Sequence, residues 1–345
     1  MNKKYLLWNN KGGVGKTFLS YMLSVEYAIN HPDEDVVVID ACPQTNVSEI
    51  ILGGNGSGAE VVNEFSRNNQ TIAGYIKERF NTKQGSKLGT ESTYFKRAVD
   101  YNEKMPSNLY ILPGDMDLDI CSKIINHLAI SPVKEAWKIS RSLINDLVTS
   151  FESAHATNGR KQVFFIDCNP SFSNYTENAI VASNRIIIPC TADAASIRGI
   201  KNLFKLIYNI SLDDQELSDQ FEDFHHDCNR NGVTLPKIHL LVQNRSRTNT
   251  RDAAQAFQSH ADEITRLVND DIMSQYSNIL TDDAIADRVL NIKDGNTLAS
   301  IINHEGCPLS SLMHKRYTIY GQKTQANQKQ IDALRADIDH IVTFI

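Results

Sequence analysis

A seven-residue stretch, Lys11-Gly12-Gly13-Val14-Gly15-Lys16-Thr17, constrains this chain more than any other part of it. A short apolar run, Tyr5 to Trp8, precedes it, and a helical pattern from Thr17 to about Ala28 follows. Strand, glycine-rich turn and helix in that order make an anion cradle. The glycines let backbone N–H groups turn inward onto phosphate oxygens, and the helix aims its positive end at the same charge. The ordinary phosphate-binding loop reads G-x-x-x-x-G-K-[ST], whereas Asn10 stands here at the first glycine position. The chemistry survives that change. Lys16 is expected to reach the β- and γ-phosphates of ATP, and the Thr17 hydroxyl to ligate Mg²⁺. Residues Lys11 to Phe18 form the expected nucleotide-binding stretch.

The remainder of the chain alternates strands and helices. Val36–Ile39, Val163–Ile166, Arg185–Pro189 and Ile238–Val242 are apolar, largely β-branched runs, and Leu109–Pro113 is a weaker one. Continuous apolar runs mark strands buried on both faces. Separated by helical patterns, they predict a doubly wound, mostly parallel α/β sheet in a single domain spanning 1–345. Between about 53 and 108 the chain turns polar, and the glycines from Gly53 to Gly58 read as a mobile loop ahead of a helical insertion holding Ile72–Phe80. A second polar excursion runs from about 213 to 236. The tail from Thr324 to Ile345 reads as one amphipathic helix, with Ile331, Leu334, Ile338, Ile341 and Val342 on a face that docks on the core.

Two aspartates follow buried strands, where ligands gather in parallel sheets. Asp167 fits the role of holding Mg²⁺ through a water, and Asp40 is expected beside the same site as a further metal-binding and catalytic residue. The chain carries 41 acidic against 35 basic residues, a net charge of −6, so DNA contact would need a local basic patch. Six scattered cysteines form no CxxC pair, which fits a reducing cytoplasm. No apolar stretch has the length of a membrane span, and the N-terminus offers too short an apolar run for a signal peptide. His225-His226-Asp227-Cys228 has no second ligand pair at zinc spacing and reads as a solvated loop.

Three segments together carry a resemblance: Lys11–Thr17, then Asp40-Ala41-Cys42-Pro43-Gln44-Thr45-Asn46, then Ile166-Asp167-Cys168-Asn169-Pro170-Ser171. In this order they resemble the deviant Walker A ParA/MinD family of P-loop ATPases, and within it the ParA partition branch. The resemblance implies an ATP- and Mg²⁺-dependent homodimer that binds DNA nonspecifically and works with a small DNA-binding or cargo adaptor protein, without a membrane. It assigns Lys11 to the phosphates of a partner subunit. Asn244 falls where relatives contact adenine, and the loop from about Asp287 to Gly295 near the other side of the base. DNA-contact candidates are Arg245, Arg247 and Arg251, and Lys315, Arg316 and Lys323. The resemblance also implies nucleoid association of a cytoplasmic protein.

One departure is sharp. The second aspartate of the family's D-x-D-P-Q segment positions or activates the attacking water, and Cys42 occupies that place. A neutral thiol is a poor acceptor for a water proton. An alternative to the partition switch is therefore a regulatory ATP-binding module with little turnover. Another is a metabolic ATPase of the same superfamily, which needs a substrate pocket or cluster ligands that the sequence does not offer.

Overall fold

The computed structural model describes residues 2–82, 86–130, 135–212, 224–244, 251–293 and 295–345, with backbone alone at 251–257 and 296. Eight strands form one sheet: β1 (Lys3–Leu7), β2 (Asp35–Ala41), β3 (Lys96–Arg97), β4 (Leu109–Leu112), β5 (Gln162–Cys168), β6 (Arg185–Thr191), β7 (Lys237–Asn244) and β8 (Val289–Ile292). Their order is β3-β4-β2-β5-β1-β6-β7-β8. Every pairing is parallel except that of β3 with β4. A separate antiparallel hairpin joins β9 (Arg316–Ile319) to β10 (Gln322–Gln325).

Alternation along the strands builds two cores. Leu6, Val37, Ile39, Phe164, Ile166, Ile186 and Ile188 face one side, under helices Ile72–Phe80, Leu143–Ala154, Asn174–Ala182 and Ala194–Tyr208. Tyr5, Leu7, Val36, Val38, Val163, Phe165 and Leu240 face the other, under helices Lys16–Asn30, Asn296–Glu305 and Gln328–Val342. With both faces covered, the strands need no polar positions, which is why they read as unbroken apolar runs.

The terminal helix docks as expected: Ile331, Leu334, Ile338, Ile341 and Val342 are all buried, in the same core as the Lys16–Asn30 helix. It is shorter than expected, because Thr324 and Gln325 belong to β10. The insertion is helical at Ser57–Arg67 and Ile72–Phe80, but it also supplies the edge strand β3. The glycine stretch expected to be mobile is a tight packing joint. Gly54 has φ +78°, and a Cβ there would lie 2.5 Å from the His304 carbonyl and 2.6 Å from the Gly306 nitrogen. Glycine is required at that point by close approach of two backbones. In the second polar excursion, Phe224–Arg230 is a helix that buries Phe224 and Cys228, and 213–223 lie outside the described residues. No helix among the described residues is long and apolar enough to cross a membrane.

Candidate functional site

The chain winds to one side of β1 for β2 to β5 and to the other for β6 to β8. A crevice therefore opens beyond the carboxyl end of β1, the usual ligand position in such sheets. The glycine loop turns over this crevice. Gly15 has φ +83°, and an added Cβ would come within 2.6 Å of the Asn244 side-chain nitrogen at the end of β7. That close approach fixes Gly15 and places Asn244 against the loop. The loop entrance is pinned from outside: Asn9 Nδ2 donates to the Pro189 carbonyl, Asn10 Nδ2 to the Pro170 carbonyl, and the Trp8 indole to the Asn169 carbonyl. Asn10, which stands where other loops have glycine, thus tethers the loop to the segment after β5. Phe18 packs on the core beside its helix.

Lys16 is buried, its ammonium held by the Lys11 carbonyl at 2.7 Å and the Asn9 carbonyl at 3.3 Å. Burial lowers its pKa, a trend that the Asp167 charge opposes. Thr17 Oγ1 donates to Asp167 Oδ2 at 2.9 Å, and Ser20 Oγ lies 2.9 Å from Asp167 Oδ1. Asp167 pairs in register with Asp40 on the neighbouring strand. Both carboxylates are buried. Burial pushes Asp167 up to about 6, and burial together with the Asp167 charge pushes Asp40 up to about 7.

The two aspartates have different surroundings. Asp40 Oδ1 accepts from the Cys42 N–H at 3.1 Å. Its Oδ2 accepts from the Ser48 N–H at 3.1 Å and the Ser48 hydroxyl at 2.6 Å. Asp40 thereby clamps both ends of the loop from Cys42 to Ser48, and its hydrogen-bonding capacity is spent on that loop. Cys42 is 5% exposed, and burial followed by the Asp40 charge pushes its thiol up to about 12. At neutral pH it is an uncharged, weak acceptor.

Lys11 belongs to a second cluster. Its ammonium donates to Thr191 Oγ1 at 2.7 Å, Asp193 Oδ2 at 2.5 Å and Ser196 Oγ at 3.3 Å, all within its own subunit. Asp193 also caps helix Ala194–Tyr208 by accepting from the Ser196 N–H. Burial works against the Asp193 charge, but the hydrogen bonds from Lys11 and Thr191 hold its carboxyl down to about 2.

Other predicted residues are placed less centrally. The loop expected at Asp287–Gly295 is largely strand: Val289–Ile292 forms β8, and Ile292 pairs with Asn244. The end of β8 therefore lies beside Asn244. Arg316 and Lys323 lie on the exposed face of the hairpin, and exposed Lys315 sits 4.8 Å from the Tyr317 ring. Arg245 and Arg247 lie outside the described residues, and Arg251 opens a helix whose backbone alone is described there. Asn9, Ser20, Ser48, Thr191, Asp193 and Ser196 were not singled out in the sequence. Ser20 alone had a local signal, a hydroxyl three residues after Thr17 on one helix face.

A glycine loop on a helix N-terminus, a buried lysine, and a hydroxyl bonded to a strand-end aspartate define a P-loop nucleotide site on a doubly wound sheet. The AAA domain family matches residues 2–219, well over half of the chain, and the chain belongs to that family of ParA/MinD-like P-loop ATPases. It is similar to an uncharacterized protein of Methanocaldococcus jannaschii, 25% identical over 202 residues that cover 59% of this chain and 64% of that relative. The chain thus spans less than two thirds of that relative's length. Among solved structures it resembles a plasmid partition protein from Borrelia burgdorferi B31 bound to AMPPNP, at 15% identity with 100% of both chains covered and a TM-score of 0.55. It also resembles an ATP complex of McdA from Cyanothece, at 13% identity over 99% of this chain and 96% of that one, with a TM-score of 0.55. At these identities the likeness establishes the fold.

Proposed function

We propose that the chain is an ATP-dependent dimerising switch that binds DNA nonspecifically and positions a plasmid, chromosome or other cargo. The observation that carries the reading is the Thr17 hydroxyl bonded to Asp167 at the end of β5, next to a buried Lys16 that the glycine loop's own carbonyl holds. The nucleotide and partition role named for the Borrelia protein, and the ATP named for McdA, support it.

The donor set suits Mg²⁺. Among the described residues no cluster of three or more His, Cys, Asp or Glu could enclose an ion. The site instead offers a hydroxyl and one carboxylate not committed to a loop, the sparse oxygen set that Mg²⁺ takes alongside waters and substrate phosphates. Thr17 and Asp167 would hold it, and when bound it would neutralise charge on the β- and γ-phosphates. The N–H groups of Gly12 to Thr17 cradle phosphate oxygens. Lys16 exchanges two backbone carbonyls for phosphate oxygens, charged acceptors that bind an ammonium more strongly. Lys11 leaves Asp193 to reach a partner's phosphates. The Arg316–Lys323 face of the hairpin, with Lys315, offers phosphate contacts to DNA.

Cys42 favours a second reading, a regulatory module that binds ATP and turns it over slowly, because its buried neutral thiol cannot take a proton from water. Light-scattering measurement of mass with ATP, with ADP and without nucleotide tests the switch. A dimer with ATP that Lys16→Ala abolishes is expected. The same mass under all three conditions overturns the dimerising switch.

A further inference from the structure

We propose that Ser20 is a positioning residue that fixes the Asp167 carboxylate for a divalent cation. The proposal rests on the reading of Asp167 as the residue that holds Mg²⁺. Helix Lys16–Asn30 presents two hydroxyls to that carboxylate, Thr17 Oγ1 on Oδ2 and Ser20 Oγ on Oδ1, each at 2.9 Å. Residues at i and i+3 stand one above the other on a helix, so the two hydroxyls grip both carboxylate oxygens from one side.

The two grips are not equivalent. Thr17 is partly exposed, whereas Ser20 is wholly buried and closed to a cation. Ser20 Oγ also lies 3.0 Å from the Lys16 carbonyl. A hydroxyl has one hydrogen to give, and an ionised carboxylate is the stronger acceptor, so the hydrogen goes to Asp167. Asp40, in register on the adjacent strand, repels the same carboxylate. With Thr17 engaged by a cation, Ser20 remains to stop Asp167 rotating away from that repulsion. Groups that orient a metal ligand in this way typically contribute about 10–100-fold to metal affinity.

Ser20→Ala, Ser20→Thr and Asp167→Asn in the full chain form the test. Mg²⁺ is titrated into protein loaded with a fluorescent ATP analogue, and affinity for the analogue in EDTA is measured alongside. Ser20→Ala is expected to raise the Mg²⁺ half-saturation point about 10-fold and to leave the EDTA affinity unchanged. Ser20→Thr, which keeps the hydroxyl, is expected to restore the wild-type value. An unchanged Mg²⁺ midpoint in Ser20→Ala, with a raised one in Asp167→Asn, overturns the role of Ser20 and leaves Asp167 in place. An unchanged midpoint in Asp167→Asn overturns the underlying reading instead. Loss of analogue binding in EDTA by Ser20→Ala would make Ser20 part of the helix packing, and the proposal would fall.

Discussion

Replacing Cys42 with aspartate restores the carboxylate that the family carries, and the structure sets both what this gains and what it costs. The thiol is 5% exposed, pushed up to about 12, and its own N–H is spent on Asp40. A carboxylate there can accept a proton from water, and such assistance contributes about 10²–10⁴-fold. The cost is a third buried carboxylate beside Asp40 and Asp167. Two charges about 6 Å apart at an effective dielectric of about 20 repel by about 3 kcal/mol. Burial and the Asp167 charge already push Asp40 up to about 7, so protonation relieves part of this below that pH. Cys42→Asp should therefore hydrolyse ATP at least about 10²-fold faster in a single turnover. Nucleotide-free Cys42→Asp should also unfold at lower urea, with the deficit larger at pH 8 than at pH 6. Quenched-flow hydrolysis with enzyme in excess and urea titrations at both pH values are the measurements. A single-turnover rate equal to or below wild type would refute the idea that Cys42 limits turnover.

Lys11→Ala should leave affinity for a fluorescent ATP analogue largely intact and weaken the ATP-dependent dimer; light scattering showing a dimer as tight as wild type would contradict a role across subunits. Changing Lys315, Arg316 and Lys323 together to Ala should lower DNA affinity and flatten its log–log salt dependence by up to about 3, with ATP affinity unchanged. If the salt series is unaltered, the hairpin is not the DNA contact, and the same change at Arg245, Arg247 and Arg251 tests the other cluster. His239 is buried; burial lowers its pKa to about 4, while its ring contacts Thr281 Oγ1 and the Phe344 carbonyl. A histidine with a depressed folded pKa contributes stability that is present above about 6.5 and lost as pH falls toward 4, by up to about 3 kcal/mol. Denaturation curves at pH 7 and pH 5 should show a smaller acid loss for His239→Gln, and equal losses would count against it.

The parts of the site legible in the sequence were those defined by local chemistry. Lys16 and Thr17 are tied to a glycine turn, and Asp167 ends an apolar run, so residue type and neighbours sufficed. All five strands of five or more residues, β1, β2, β5, β6 and β7, were legible for the same reason, as apolar runs. Elements with weaker local signals were lost. Lys96–Arg97 is two charged residues, and its strand exists because β4 offers an edge. Val289–Ile292 is interrupted by Asn291, which points outward at a sheet edge. The hairpin at 316–325 did carry a signal, Tyr317 and Ile319 alternating ahead of Tyr320-Gly321, but its charged residues masked it. The partners of Lys11 stand about 180 residues away in sequence, a separation that no periodicity reports. The Asp40 clamp on Ser48 depends on the course of a loop, which residue types alone do not fix.

The joint between Gly54 and Gly306 has a consequence for how the chain can change. Each glycine occupies the space a methyl group would need on the other: a Cβ at Gly306 would lie 2.5 Å from the backbone of both Gly53 and Gly54. The two positions therefore behave as one mutational unit. Alanine at either forces the same two backbones apart, so that steric cost is shared and falls short of a sum, while the strain of each positive φ, +78° at Gly54 and +53° at Gly306, is added separately. Gly54 lies inside the matched family region and Gly306 beyond it. Drift in the C-terminal third is thus held in step with the nucleotide-binding part by a contact that no side chain makes.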